Sequence, residues 1–412
     1  MNINKVLVLT TTFPRWHHDN IHRFVYDLAD VLRGKGLDIS VLAPHSPGAK
    51  FSEDMNGLHV HRYAYFFPLK YQKLAYEGGG ILPNFSRSLV AKLQAPLLFV
   101  SEILHALYII KTQKLNLIHS HFIIPSGLVG AICAKFLRIK HLVTIHAADL
   151  FALEALPYNQ NVLRFVVTNT DQITVVSSHL YERLLKLVPA DLAEQVAKKT
   201  KIIPMGTHTE LFRIVSSKEE LKRKHGIESK FVLLFVGRLA EKKGTPYLLK
   251  AMSLIVSQNK EVGLLVCGDG PMRVELEGLV KQLKLEEFVT FCGFVAGQRK
   301  VDYLSLSDIL IVPSIVTDSG DTEGLPVTIL EGLAAGKVVI ASDVGGVKDA
   351  IKDGENALLV EPKNPDQIAQ KVLNLINDNQ LREKLAENAP ESVKDYDWNT
   401  IGERYKQVLE SM

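Results

Sequence analysis

Short apolar runs recur along the chain, and between them apolar positions repeat every three or four residues. Runs of the first kind predict buried strands, and the spaced repeats predict amphipathic helices. Their alternation is the pattern of parallel sheets with crossover helices. In the first half the expected strands are Val6–Thr10, Asp38–Ala43, Leu58–Tyr63, Leu117–His121, Leu142–Ile145, Ile173–Val176 and the short Ile202–Ile203. After the first of them, Ile21, Phe24, Val25, Leu28 and Leu32 keep helical spacing until Gly34 and Gly36. Gly206 to about Lys230 has few long apolar runs and is the expected linker. The pattern then restarts with Phe231–Val236, Gly263–Cys267, Val289–Phe291, Ile309–Val312, Val338–Ala341 and Ala357–Val360. The expected organisation is two α/β domains, residues 1–208 and 209–397. The final stretch, 398–412, lies beyond the last strand and is a candidate to return to the first domain.

With 412 residues, 47% of them hydrophobic, the chain can fill two cores. Its net charge of +3 is unevenly spread. Residues 1–208 carry 22 Lys+Arg against 14 Asp+Glu, so an anionic partner such as a phospholipid surface or a phosphorylated substrate suits the first half. Cys133, Cys267 and Cys292 are far apart and lack any CxxC, which reads as reduced core thiols of a cytosolic protein. The chain enters a strand almost at once, so no signal peptide is expected ahead of Lys5. The most apolar helical region, Leu89 to Ile110, is interrupted by Lys92, Pro96 and Glu102. Core packing is its expected use, a membrane surface the second, and a membrane span is not expected.

One stretch stands apart, Thr322 to Gly346, reading TEGLPVTILEGLAAGKVVIASDVGG. Glu331 is the only ionisable side chain between Gly324 and Gly336, on an otherwise apolar helix. Burying an unpartnered carboxylate costs several kcal/mol, so a partner is required. Backbone N–H groups would serve. So would a ligand hydroxyl, with Glu323 at the mouth of the same helix. In open parallel sheets ligands bind beyond the carboxyl ends of the strands. Those ends lead here into Gly237-Arg238, Glu241-Lys242-Lys243-Gly244, Gly268-Asp269-Gly270-Pro271, Thr317 to Glu323 and His146-Ala147-Ala148-Asp149. Arg238 and Lys243 together can neutralise a diphosphate without a metal, although Lys242 and Lys243 alone also fit an exposed basic loop. Gly324 allows close backbone approach, Pro326 suits the first turn of the next helix, and free N–H groups there suit phosphate or sugar oxygens. His146 by itself reads equally as a satisfied core histidine. Asp395-Tyr396-Asp397 has the form Asp-x-Asp but reads as an acidic helix start, and no His/Cys spacing suggests zinc. No metal is expected.

GRLAEKKG, CGDGP, VPSIVTDSGDTEGLPVTILEGLAAGKVVIASDVGG, TIHAAD and IIPMGTHTELF together resemble the family 4 glycosyltransferases. YEGGGILPNFSRS and FPRWHHDNIHRFV further resemble a bacterial branch that builds surface polysaccharides. The resemblance implies the GT-B fold: two Rossmann-like, doubly wound α/β domains facing each other across a cleft, an acceptor domain first and a nucleotide-sugar donor domain second. It implies retaining, metal-independent transfer of a hexose-type sugar from a nucleotide diphosphate sugar to a glycan or lipid-linked acceptor. Exopolysaccharide, capsule or lipopolysaccharide synthesis is the expected setting, and no cofactor beyond the donor is implied. By the same resemblance Arg238 and Lys243 hold the diphosphate and Glu331 the ribose. Glu323, with the N–H groups of Gly324 and Leu325, holds the donor sugar, with Gly268 and Pro326 in the same donor site. His146 approaches the donor sugar and β-phosphate from the first domain. Many relatives carry a glycine in the loop after the first strand, and here that loop, Arg15 to Arg23, has none. Arg15, Asn20 and His22 are its acceptor-side candidates. The expected location is cytoplasmic, with peripheral contact on the anionic inner face of the membrane and no nucleic-acid partner. Two other readings are a nucleotide-sugar epimerase of the same fold and a non-catalytic nucleotide-sugar-binding subunit.

Overall fold

The computed structural model describes residues 4–17, 19, 23–76, 81, 84–85, 88–212 and 217–412. The chain divides into two compact units, Met1–Met205 with Trp398–Met412 and Gly206–Asp397.

The first unit is built on β1 (Lys5–Leu9), β2 (Asp38–Pro44), β3 (Ser52–Met55), β4 (Leu58–Tyr63), β5 (Leu117–His121), β6 (Lys140–Ile145), β7 (Gln172–Val175) and β8 (Thr200–Ile202). They run in the order β3-β4-β2-β1-β5-β6-β7-β8. Every neighbouring pair is parallel except β3 with β4. β3 has no counterpart in the apolar pattern because its sequence, SEDM, carries no alternation. Its cue is Asn56-Gly57, where both residues take positive φ, 56° and 84°, and reverse the chain into a hairpin.

The second unit holds β9 (Phe231–Val236), β10 (Val262–Cys267), β11 (Val289–Gly293), β12 (Ile309–Val312), β13 (Val338–Ser342) and β14 (Leu358–Val360). All run parallel, in the order β11-β10-β9-β12-β13-β14. Alternate residues enter two apolar layers, Leu233, Phe235, Leu264 and Val266 on one face and Val232, Leu234, Leu265 and Cys267 on the other. A sheet covered on both faces needs such continuous apolar strands. Strand order reverses at β1/β5 in the first unit and at β9/β12 in the second, and open sheets of this kind bind ligands at the carboxyl side of such reversals.

Two expectations need correction. Gly206 to Lys230 is no bare linker. It contains the helix Lys218–His225, capped by the Ser217 side chain and ended by Gly226. Leu221 of that helix is buried, and Lys224 bonds Asp302 at 2.6 Å, which ties it to the second unit. The long apolar helix, Leu89–Gln113, runs unbroken through Pro96, and only one of its faces is core. Ala91, Leu98 and Ala106 are buried, whereas Leu93 and Tyr108 are 76% and 67% exposed.

The helix Trp398–Glu410 belongs to the first unit, with Trp398, Ile401, Tyr405 and Leu409 buried. Gly402 meets the helix Phe24–Gly34, and a Cβ there would lie 2.3 Å from Val31 Cγ1 and 2.6 Å from Lys35 Cε. Gly402→Leu should therefore overpack this contact and destabilise the first unit by about 1–3 kcal/mol in thermal or urea unfolding. Gly278→Ala, where a Cβ meets nothing within 4 Å, should be neutral or stabilising.

Candidate active site

The carboxyl edge of the second sheet is knitted backbone to backbone. Gly244 has φ +65°, and a Cβ there would stand 1.8 Å from the Pro313 carbonyl oxygen just after β12. The Ile315 N–H donates to the Lys242 carbonyl at 2.8 Å, so the loops after β9 and β12 are joined. Gly345, with φ +57°, stands so close to the Glu323 carbonyl that a Cβ would lie 2.1 Å away. The Gly346 N–H donates to the Gly324 carbonyl at 2.5 Å, which adds the loop after β13. Only glycine meets both demands at these two points. Gly268, at the end of β10, lies against the Gly237 carbonyl in the same way.

This knitting brings Lys242, Lys243, Glu323 and Glu331 to one edge. Lys243 Nζ lies 3.2 Å from Glu323 Oε1, and Lys242 Nζ lies 3.2 Å from Asp321 Oδ1 and 4.0 Å from Glu323 Oε1. Burial pushes the Glu323 carboxyl up, but Lys243 and then Lys242 outweigh it and hold the group below its ordinary value. Glu323 is a carboxylate. Glu331 sits on the buried face of the helix Val327–Ala334, and Lys300 from the helix Gly297–Leu306 reaches its Oε1 at 2.5 Å. The required partner is thus a cation from another helix, which neither backbone N–H groups nor a ligand anticipated. Among the described residues, Glu331 Oε2 is buried without a hydrogen-bond partner, whereas the buried Glu323 Oε1 is held by the Lys243 ammonium. Arg238 is exposed at the end of β9. Pro326 precedes the helix, at φ −63° and ψ 116°, rather than lying in its first turn. Gly324 is buried and Leu325 half-buried between Glu323 and that helix.

In the first unit His146 ends β6 and opens the helix Ala147–Glu154. Its Nε2 lies 3.2 Å from His121 Nδ1, and the Phe24 and Phe122 rings stand 5.1 and 4.8 Å from it. Burial pushes the His146 imidazole down to about 3, so the ring is neutral at physiological pH. Asp149, three residues on, accepts the Ile123 N–H at 2.6 Å and is pushed up to about 8 by burial. Arg15 pairs with Asp19 at 2.7 Å and stacks its guanidinium 4.4 Å over Trp16. Asn20 and His22 lie outside the described residues. Asp397 accepts from the Thr209 hydroxyl at 2.8 Å within the second unit.

A glycosyltransferase family 4 model matches residues 21–211, and a glycosyl transferases group 1 model matches residues 217–392. The chain belongs to these glycosyltransferases. The uncharacterized glycosyltransferase MJ1607 of Methanocaldococcus jannaschii is 28% identical over 99% of both chains. The N-acetyl-alpha-D-glucosaminyl L-malate synthase of Bacillus anthracis is 27% identical over 68% of this chain and 70% of its own. Anabaena Alr3699/HepE, solved in complex with UDP, superposes with a TM-score of 0.73 at 20% identity, covering 99% of this chain and 100% of its own. The fold is GT-B, with two Rossmann-like units.

Lys300 escaped the sequence reading of this glycosyltransferase because GQRK looks like a solvated helix start, and its only signal was the unmet need of Glu331. Lys242 and His121 were likewise visible only as neighbours in a loop or strand. The buried imidazoles carry a pH signature. Burial, seconded by neighbouring rings at His119, holds His119 and His146 near 3, His141 near 4 and His121 well below its ordinary value. Below about pH 6.5 the unfolded chain takes up protons that these folded rings refuse, so stability falls with pH. Asp149 and Glu102, the latter raised to about 7 by burial, act in the opposite sense between their unfolded and folded values. Four groups outnumber two. The melting temperature of the first unit should drop by at least about 5 °C between pH 6.5 and 5 in calorimetry. A flat or rising profile would contradict neutral burial of the rings.

Proposed function

We propose that this glycosyltransferase moves a hexose-type sugar from a nucleotide diphosphate sugar to a glycan or lipid-linked acceptor, with retention of anomeric configuration and without a metal. The observation that carries the reading is the pair of carboxylates at this sheet edge, each held by a lysine, with Glu331 Oε2 buried and still lacking a hydrogen-bond donor. A ribose hydroxyl is a donor of the kind that Glu331 Oε2 lacks, and sugar hydroxyls can share Glu323 with Lys243. Glu331 takes the ribose, and Glu323 with the N–H groups of Gly324 and Leu325 takes the donor sugar. Arg238 and Lys243 take the diphosphate and stabilise it as it leaves. Lys243 then trades part of its contact with Glu323 for the phosphate charge. The bond from C1 to the diphosphate oxygen breaks, a bond from C1 to the acceptor oxygen forms, and the acceptor hydroxyl passes its proton to the departing diphosphate oxygen. His146, neutral over the working range, acts toward the donor sugar and β-phosphate as a hydrogen-bonding group rather than a charge. UDP bound to Alr3699/HepE supports a nucleoside diphosphate as the leaving group. Surface-polysaccharide synthesis at the cytoplasmic face of the membrane is the proposed setting.

Arg238→Ala and Lys243→Ala should each lower turnover by at least about tenfold while the far-ultraviolet circular dichroism stays unchanged, because preorganised charge at a leaving group has effects of this size. Wild-type turnover in both variants would remove their role at the diphosphate. Excess EDTA should leave the rate unaltered, whereas loss restored by Mg²⁺ would overturn neutralisation by side chains. NMR of the product separates transfer from epimerisation: a new glycoside needs the acceptor, an isomerised donor does not.

A further inference from the structure

The helix Leu89–Gln113 carries an apolar row that the first unit leaves in solvent. Leu89, Leu93, Leu97, Val100, Leu104 and Tyr108 follow at intervals of 4, 4, 3, 4 and 4 residues. At 3.6 residues per turn all six fall within about 100° of arc, along about 29 Å of helix. Their exposures run from 47% at Leu97 to 78% at Leu89. The opposite face is bolted to the unit by polar bonds. Gln94 donates to the Tyr71 carbonyl at 2.6 Å and accepts from the Lys73 N–H at 3.0 Å, and Glu102 accepts from the Ser126 hydroxyl at 2.7 Å. By length and mean hydropathy, 1.6, the helix could cross a bilayer, yet it is anchored along one side and cannot leave the sheet without breaking those bonds. Rows this long are seldom left bare in a solvated protein.

Charge selects what covers it. Lys92 and Lys111 are exposed on this helix and Lys114 is exposed just past its end, and Lys111 continues the row three residues beyond Tyr108. The Lys111 ammonium lies 6.0 Å from the ring of Phe136, which is itself 71% exposed on the neighbouring helix Leu128–Leu137. The one carboxylate of the helix, Glu102, is buried on the far side. A second copy packed antiparallel on this face would bring Lys92 toward Lys111 and Lys114 of its mate, which repels. Anionic headgroups would instead meet those ammonium groups while the aliphatic row sinks to the acyl boundary. We propose that this face is a docking surface for an anionic bilayer, with the helix lying in the interface plane and not spanning it. It requires nothing of the donor site, so its failure and that of the proposed reaction are separately visible.

The test is co-sedimentation of the full chain with phosphatidylcholine vesicles, with and without about 30 mol% phosphatidylglycerol. The chain should pellet with the anionic vesicles, and the bound fraction should fall when NaCl rises from about 0.05 to about 0.5 M. Leu93→Glu with Leu104→Glu should lower the partition coefficient at least about tenfold with an unchanged melting temperature, since both side chains are exposed. Lys92→Glu with Lys111→Glu should lose a similar factor on anionic vesicles alone. A wild-type chain that stays in the supernatant, or a leucine variant that binds as wild type does, overturns the proposal. So does a dimer in light scattering that these leucine changes dissolve while vesicle binding is absent, which would assign the face to a second copy.

Discussion

Two carboxylates withdrawn from water at one sheet edge set the terms for the second unit. Glu323 and Glu331 cannot be buried as charges without compensation, and each receives it from a lysine in a separately built segment. Lys243 arrives on the turn after β9, Lys300 on the helix after β11. Neither lysine could reach its mate if the loops were loose. The close approaches at Gly244 and Gly345 bring three strand ends into one rigid edge, so the placement of the charges rests on two positions without a Cβ. Lys300 leaves Glu331 Oε2 short of a donor, and that deficit is what a ligand rich in hydroxyls can repair.

The first unit solves its burial problem differently. Its interior polar groups are mostly neutral. The His121 ring lies tilted against His119 at 4.4 Å and stacked on His146 at 5.5 Å, and His119 bonds Thr144, which in turn meets Thr174. Tyr405 from the final helix comes within 3.4 Å of both threonine hydroxyls, so the last segment of the chain completes a polar core begun far earlier in sequence. The ring at His146 is thus neutral, whereas the edge of the second unit is charged. The basic surplus of this half includes Lys92 and Lys111, exposed on the helix Leu89–Gln113 that carries the bare apolar row.

Much of this was legible from residue order alone. Parallel-sheet strands are buried on both faces and so appear as unbroken apolar runs, which is why Phe231–Val236 and Ile309–Val312 match the structure end to end. The need of Glu331 for a partner followed from the absence of charge around it on its own helix. Tertiary structure alone decided who the partner is, because Lys300 is 31 residues away and its neighbours look solvated. The β3 strand was hidden for the opposite reason: SEDM has no apolar period, and its register comes from the Asn-Gly turn and from pairing with β4. Periodicity reports that a helix is apolar, but the bonds of Gln94 and Glu102 decide which of its sides meets the sheet and which is left to water or lipid. Local pattern thus determined the elements and the residue types of the site. Long-range contacts decided the pairings, because a charge finds its mate in space and not along the chain.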